Sequence, residues 1–319
     1  MKKLLVTTAA IAAFTSGANA AEMMSESSLT SPLYMPKQNK SFSETRFAYK
    51  EGYFNSISDV TPGTKTNVQP ETMNINELYK FGITDHSTTS FEIGYSRIDT
   101  DQKNYESRNS SSDKSYTSKG WTDPIFGGEE RVMDNDGGVL DVLTSLQIGI
   151  FDRVDSTETQ KDGTVADGRH ILGLGLRYGT MMDKFTWDIV GIAKFLGKAK
   201  YHEVSSTNKD DKDSMLDKSH WLFDLKFESE YMFSEMFSMN FDLGYIWEEN
   251  RYVNDKTNSS GYKQDTGNIT TIDFQANLMT GDMFTWSAFY GAEMQEDTKF
   301  KGNGARYKDQ SAQKIGLKA

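Results

Sequence analysis

The chain has 319 residues, a hydrophobic share of 36%, a formal net charge of -11 and no cysteine. An acidic balance without a basic stripe argues against nucleic acid as a partner. The lack of cysteine excludes a disulfide framework, thiolate zinc sites and cysteine nucleophiles.

The N-terminus carries an export pattern. Lys2 and Lys3 precede the uncharged apolar run Leu4–Phe14, and Ala18-Asn19-Ala20 supplies the small residues that a signal peptidase reads. A signal peptide over residues 1–20, cut between Ala20 and Ala21, is therefore expected, with Sec-dependent export. Its apolar run falls well short of the roughly 20 residues that a membrane-spanning helix needs, and no later run reaches that length. Residues 21–40 show no alternation and are expected to form a periplasmic lead or a plug segment.

From residue 41 the chain follows a rhythm of alternating runs, short turns and long polar connections. Ser41–Lys50 and Pro124–Met133 alternate poorly, whereas Val139–Phe151 places Leu140, Val142, Leu146, Ile148 and Ile150 on one parity. In His170–Tyr178, Leu172, Leu174, Leu176 and Tyr178 alternate with Arg169, Gly173, Gly175 and Arg177. The same pattern runs through Phe185–Phe195, Trp221–Phe233, Phe237–Glu248, Thr271–Leu278 and Phe284–Met294. The terminal stretch Ser311–Ala319 is short, with Ile315, Leu317 and Ala319 on its apolar parity. Successive strand residues point to opposite faces, so each run has an apolar and a polar side. Runs of about ten residues or more match a tilted strand crossing a bilayer and exceed the usual soluble strand of about five or six.

Short connections are expected near Thr84–Ser87, Asn135–Gly138, Thr180–Asp183, Ser234–Glu235 and Thr280–Asp282. Long polar loops are expected near Gly52–Pro70, Asp99–Gly120, Asp152–Asp167, Ala199–Lys218, Asn250–Thr266 and Thr298–Asp309. Short turns at one end and long loops at the other describe an outer-membrane barrel. The expected fold is thus all-β: a closed antiparallel up-and-down transmembrane barrel of about twelve strands over residues 41–319. Trp187 and Trp286 follow short turns, and Trp121, Trp221 and Trp247 adjoin long loops, as two interfacial girdles require. No proline interrupts the strands from Val139 onward, where it would remove a ladder donor.

No catalytic or metal-binding set is legible, so no enzyme activity and no cofactor are expected. His86, His170, His202 and His220 have no metal-ligand spacing, and Asn208–Asp213 lacks the glycine and closing glutamate of an EF-hand loop. The polar parity of the regular strands places Asp141, Asp188, Asp224, Glu228, Glu230, Asp242, Glu248, Asp273 and Glu293 in the lumen. Arg169, Arg177, Lys194 and Lys226 oppose them, which fits either a filled interior of cross-strand ion pairs that holds the wall rigid or a narrow acidic conduit favouring cations or neutral polar solutes. The expectation is an outer-membrane channel or passive transporter for small solutes. The alternative is a non-conducting structural or surface-interaction barrel acting through its external loops. The expected partners are outer-membrane lipid, a small solute, the outer-membrane assembly machinery and periplasmic chaperones.

The signal, alternation and loop rhythm resemble Gram-negative outer-membrane β-barrel proteins across essentially the whole chain. Gly120-Trp121-Thr122-Asp123-Pro124, followed by Phe126-Gly127 and Arg131, is similar to a glycine-aspartate motif in transporters of the phenol-degradation meta-pathway type. Ser31-Pro32-Leu33-Tyr34-Met35-Pro36-Lys37 resembles their lead-in segments. The resemblance implies passage of small hydrophobic or aromatic molecules. The chain departs from barrel proteins at Leu317-Lys318-Ala319, where they usually end in an aromatic residue.

Overall fold

A computed structural model describes residues 30–58, 65–104, 114–135, 138–151, 153–154, 162–166, 168–202, 213–255, 262–280, 284–301 and 305–319. The expected signal peptide and its cleavage pair Ala20 and Ala21 lie outside these residues.

Twelve strands form the wall, without a helix among the described residues. The first half comprises β1 (Ser41–Ser58), β2 (Lys65–Gly82), β3 (Ser87–Asn104), β4 (Ile125–Asn135), β5 (Gly138–Gln147) and β6 (Ile171–Met182). The second comprises β7 (Phe185–Leu196), β8 (His220–Ser234), β9 (Phe237–Glu248), β10 (Ile269–Met279), β11 (Thr285–Gln295) and β12 (Ala305–Lys318). Each pairs antiparallel with its sequence neighbours. β12 returns to β1 in the register Phe47↔Leu317 and Tyr49↔Ile315, which closes the barrel. Closure leaves no free edge, the condition a sheet must meet in hydrocarbon.

The distribution of side chains is inverted relative to a water-soluble protein. Leu172, Leu174 and Leu176 of β6 are 60%, 61% and 56% exposed on the outer face. Inside, Asp141 and Asp188 are fully buried. Such a broad exposed apolar surface is stable only where the outer solvent is lipid. Aromatic rings band both rims of this surface. Phe195, Trp221, Phe223 and Trp247 form a continuous chain of ring contacts at one rim. Tyr178–Trp187 and Phe284–Trp286 contacts lie at the other.

Several stretches read from sequence as loops prove to be strand. β1 runs to Ser58, β2 begins at Lys65 and β3 continues to Asn104, inside the expected loops Gly52–Pro70 and Asp99–Gly120. Lys114–Trp121 pairs with the outer half of β3. Ala199–His202 pairs with Asp213–Asp217, and Arg251–Asp255 pairs with Tyr262–Asp265. Thr298–Lys301 lies between Tyr262–Asp265 and β12. In sequence these short stretches carry few apolar residues in no sustained alternation, so the period-2 contrast that marks a half-buried strand is missing. The ladder carries them regardless. Conversely, Ile148–Phe151 leaves the wall where sequence extended the strand, and the last strand spans 14 residues, longer than the expected Ser311–Ala319.

The motif at Gly120–Pro124 builds a corner in the outer rim. Gly120 has a φ of 153°, a region that suits glycine. The Asp123 carboxylate then accepts hydrogen bonds from the backbone N–H groups of Ile150 (3.0 Å), Phe151 (3.1 Å) and Gly168 (2.8 Å). One buried side chain thereby fixes both ends of the β5–β6 connection to the top of β4.

Candidate functional site in the barrel lumen

The inner face holds ion pairs at three levels. At the outer rim, Asp217 accepts from Arg169 Nη2 and Arg251 Nε, both at 3.0 Å. Burial raises the Asp217 pKa, but the Arg251 and Arg169 guanidiniums outweigh that and hold its carboxyl below the usual range. Beside this pair, His220 Nε2 lies 2.7 Å from Glu248 Oε1. His170 is exposed on the outer side, its Nδ1 accepting from Gly149 N–H.

In the middle of the wall, Lys194 Nζ donates to Asp224 at 3.3 Å. Lys226 pairs with Glu228 and lies 3.4 Å from Asp242. Lys50 meets Glu293 at 2.7 Å. Lys314 of β12 donates to Asp273 of β10 at 2.9 Å, reaching over Gly291 of the intervening β11. Only a residue without Cβ permits that crossing, because a Cβ there would lie 1.9 Å from Asp273 Oδ1.

Toward the short turns, a cluster gathers Arg131, Arg177, Glu129, Asp141 and Asp188. Asp141 accepts from Arg131 Nε at 3.0 Å and Arg177 Nε at 2.9 Å, and Arg177 also pairs with Glu129. Asp188 lies 3.8 Å from Arg177 Nε, and neither of its oxygens has a hydrogen-bond partner among the described residues.

The segment Thr30–Lys40 lies against this end of the lumen. Arg177 Nη1 donates to the Pro32 carbonyl at 2.9 Å, Arg131 Nη2 to the Leu33 carbonyl at 2.8 Å and Asn240 Nδ2 to the Thr30 carbonyl at 3.1 Å. The Thr30 hydroxyl donates to Glu230, which also accepts from Ser238 at 2.6 Å. Leu33, Tyr34 and Met35 are buried, and Asn39 N–H bonds the Gly82 carbonyl at the end of β2. Above the segment lies a cavity of about 420 Å³. Its lining includes Phe42, Lys80, Glu228, Asp242, Phe289 and Lys318.

Of the residues picked out from sequence, Arg177, Lys226, Glu228, Asp242 and Asp273 line this cavity. Asp141 and Asp188 belong to the Arg177 cluster, and Lys194, Asp224 and Glu293 form ion pairs elsewhere on the wall. Arg169 belongs to the outer-rim set. Sequence reasoning missed Arg46, Lys50, Lys80, Lys314 and Lys318, which sit on β1, β2 and β12. Phasing those strands from the apolar residues Tyr49, Tyr53, Ile315 and Leu317 would have found most of them.

No family model matches the chain, and no curated protein matches it in sequence. Solved structures do match in fold. The COG4313 outer-membrane channel of Pseudomonas putida F1 aligns over 90% of this chain and 97% of its own, at 14% identity and a TM-score of 0.55. The transport unit of the autotransporter AIDA-I from Escherichia coli aligns over 95% of this chain and 97% of its own, at 14% identity and a TM-score of 0.52. Closed wall, inverted polarity and these likenesses agree: the chain has the fold of the outer-membrane β-barrels.

Proposed function

We propose that the chain is a passive outer-membrane channel for small polar solutes. The cavity of about 420 Å³, lined by charged and hydroxyl side chains in a twelve-stranded wall, carries this reading. A barrel of this size is intermediate between small filled barrels and the wide porins, so its interior can hold a solute as well as side chains. The likeness to an outer-membrane channel supports the same role at the general level. The charged lining favours polar solutes over the hydrophobic or aromatic ones that the motif resemblance implies. In this reading the segment over residues 21–40 is a plug at the periplasmic mouth. Export follows the Sec route, and periplasmic chaperones and the assembly machinery deliver the barrel to its lipid. The reading involves no catalytic step.

The test is planar-bilayer conductance of the refolded, processed chain. Discrete conductance steps are expected. A barrel that folds and inserts without ever conducting would leave the non-conducting, loop-acting barrel in its place.

A further inference from the structure

The charges of the lumen are sorted by wall. From β8 to β10 the inner face carries Asp224, Glu228, Glu230, Asp242, Glu248 and Asp273, against which the one Lys or Arg is Lys226. From β12 through β1 to β2 it carries Lys314, Lys318, Arg46, Lys50 and Lys80 against Glu44. Both walls border the same cavity, where Lys80 and Lys318 stand on one side and Glu228 and Asp242 on the other.

Internal pairing cancels this separation in part, since Lys314 neutralises Asp273 and Lys194 neutralises Asp224, but it does not cancel it at Glu228, Asp242 and Lys80. Glu228 and Asp242 share one ammonium, that of Lys226, and so leave a net negative charge on their wall. On the opposite wall, Lys80 forms no hydrogen bond or ion pair among the described residues. Lys318 lies 3.8 Å from Glu44 and 5.9 Å from the centroid of the Phe289 ring. Between such walls the field runs across the lumen, and a narrow, low-dielectric passage screens it far less than open water does. A singly charged solute is drawn to one wall and repelled by the other. A molecule with separated opposite charges is favoured at both ends at once.

We infer that the lumen selects zwitterionic small solutes, with the carboxylate toward Lys80 and Lys318 and the ammonium toward Glu228 and Asp242. This inference rests on the channel reading. Its test is uptake of labelled γ-aminobutyrate, butyrate and butyramide into proteoliposomes holding the processed full chain. γ-Aminobutyrate is expected to enter at least threefold faster than either analogue. Equal rates, or an order set by the sign of charge alone, would leave the channel standing and overturn the selectivity. Entry of none of the three above protein-free vesicles would overturn both.

Two single substitutions add a sign test. Lys80→Gln should reduce the γ-aminobutyrate preference and shift the zero-current potential toward cation selectivity. Asp242→Asn should also reduce the preference but shift the potential toward anion selectivity. Glu228→Gln serves in place of Asp242→Asn if that variant loses the heat-modifiable migration of a folded barrel. Shifts in the same direction, or no shift, would refute the two-wall arrangement.

Discussion

Lys314 of β12 donates to Asp273 of β10 across the glycine at position 291, which lets an ion pair span a whole strand of the wall. A Cβ at Gly291 would also lie 2.4 Å from Lys314 Cε, so any larger residue forces the two side chains apart. Both partners keep some exposure to the lumen, at 34% and 19%, and such pairs contribute only about 0–1 kcal/mol. Gly291→Val is therefore expected to lower stability by about 1 kcal/mol, read from the urea midpoint in liposomes. A loss several times larger would mean that the glycine serves the packing of β11 and not merely the pair.

The Arg177 cluster is the opposite case. Its carboxylates Glu129, Asp141 and Asp188 are nine-tenths or more buried, and they rely on Arg131 and Arg177. Removing one partner of a buried pair leaves uncompensated charge and costs about 3–5 kcal/mol. Arg177→Ala should thus lose far more than Gly291→Val in the same unfolding assay. Asp188→Asn should be neutral or slightly stabilising, since the Asp188 oxygens have no hydrogen bond to lose among the described residues.

Arg177 and Arg131 also hold the carbonyls of Pro32 and Leu33. If the segment is a plug, deleting Ser31–Pro36 should increase single-channel conductance several-fold without altering the heat-modifiable migration of the barrel. Unchanged conductance would reduce the segment to a passive lead.

These elements differ in how far the sequence reveals them. Strands with one face in lipid, such as β6 with Leu172, Leu174 and Leu176, announce themselves by alternation. The outer hairpins do not, because Arg251–Asp255 and Tyr262–Asp265 are short and show no sustained alternation of polar and apolar residues. That same dependence limits how much of the lumen is legible. The regular strands happen to include most of the acidic wall, while Lys50, Lys80, Lys314 and Lys318 lie on strands whose alternation is weak. Three contacts of Thr30–Pro36, those from Asn240, Arg177 and Arg131, are illegible for another reason: carbonyl oxygens accept them, and backbone acceptors carry no sequence signature.

The outer-rim set at Asp217 should respond to acid. Its carboxyl titrates below the ordinary range, because Arg251 and Arg169 outweigh its burial. A depressed folded-state pKa stabilises above the unfolded value of about 3.9 and loses that contribution as pH falls through the folded one. Rim stability is therefore expected to stay flat from neutral pH to about 4 and to decline below it. Limited proteolysis of the rim across this range should follow that profile, and Asp217→Asn should abolish the step. A decline centred near pH 6 would assign the transition to a different group.

The lipid-facing assignment makes the sharpest energetic prediction. Leu243 lies at the middle of β9 on the outer face, and its side chain is 43% exposed there. An arginine at the bilayer midplane costs about 2–4 kcal/mol, and one near the interface costs about 0–1 kcal/mol. Leu243→Arg should fall in the first range, whereas Tyr252→Arg, beyond the Trp247 ring on the outer extension Arg251–Asp255, should fall in the second. Unfolding in urea from lipid vesicles measures both. Equal costs at the two sites would place Leu243 outside the hydrocarbon, and the inverted polarity of the wall would then require another solvent than lipid.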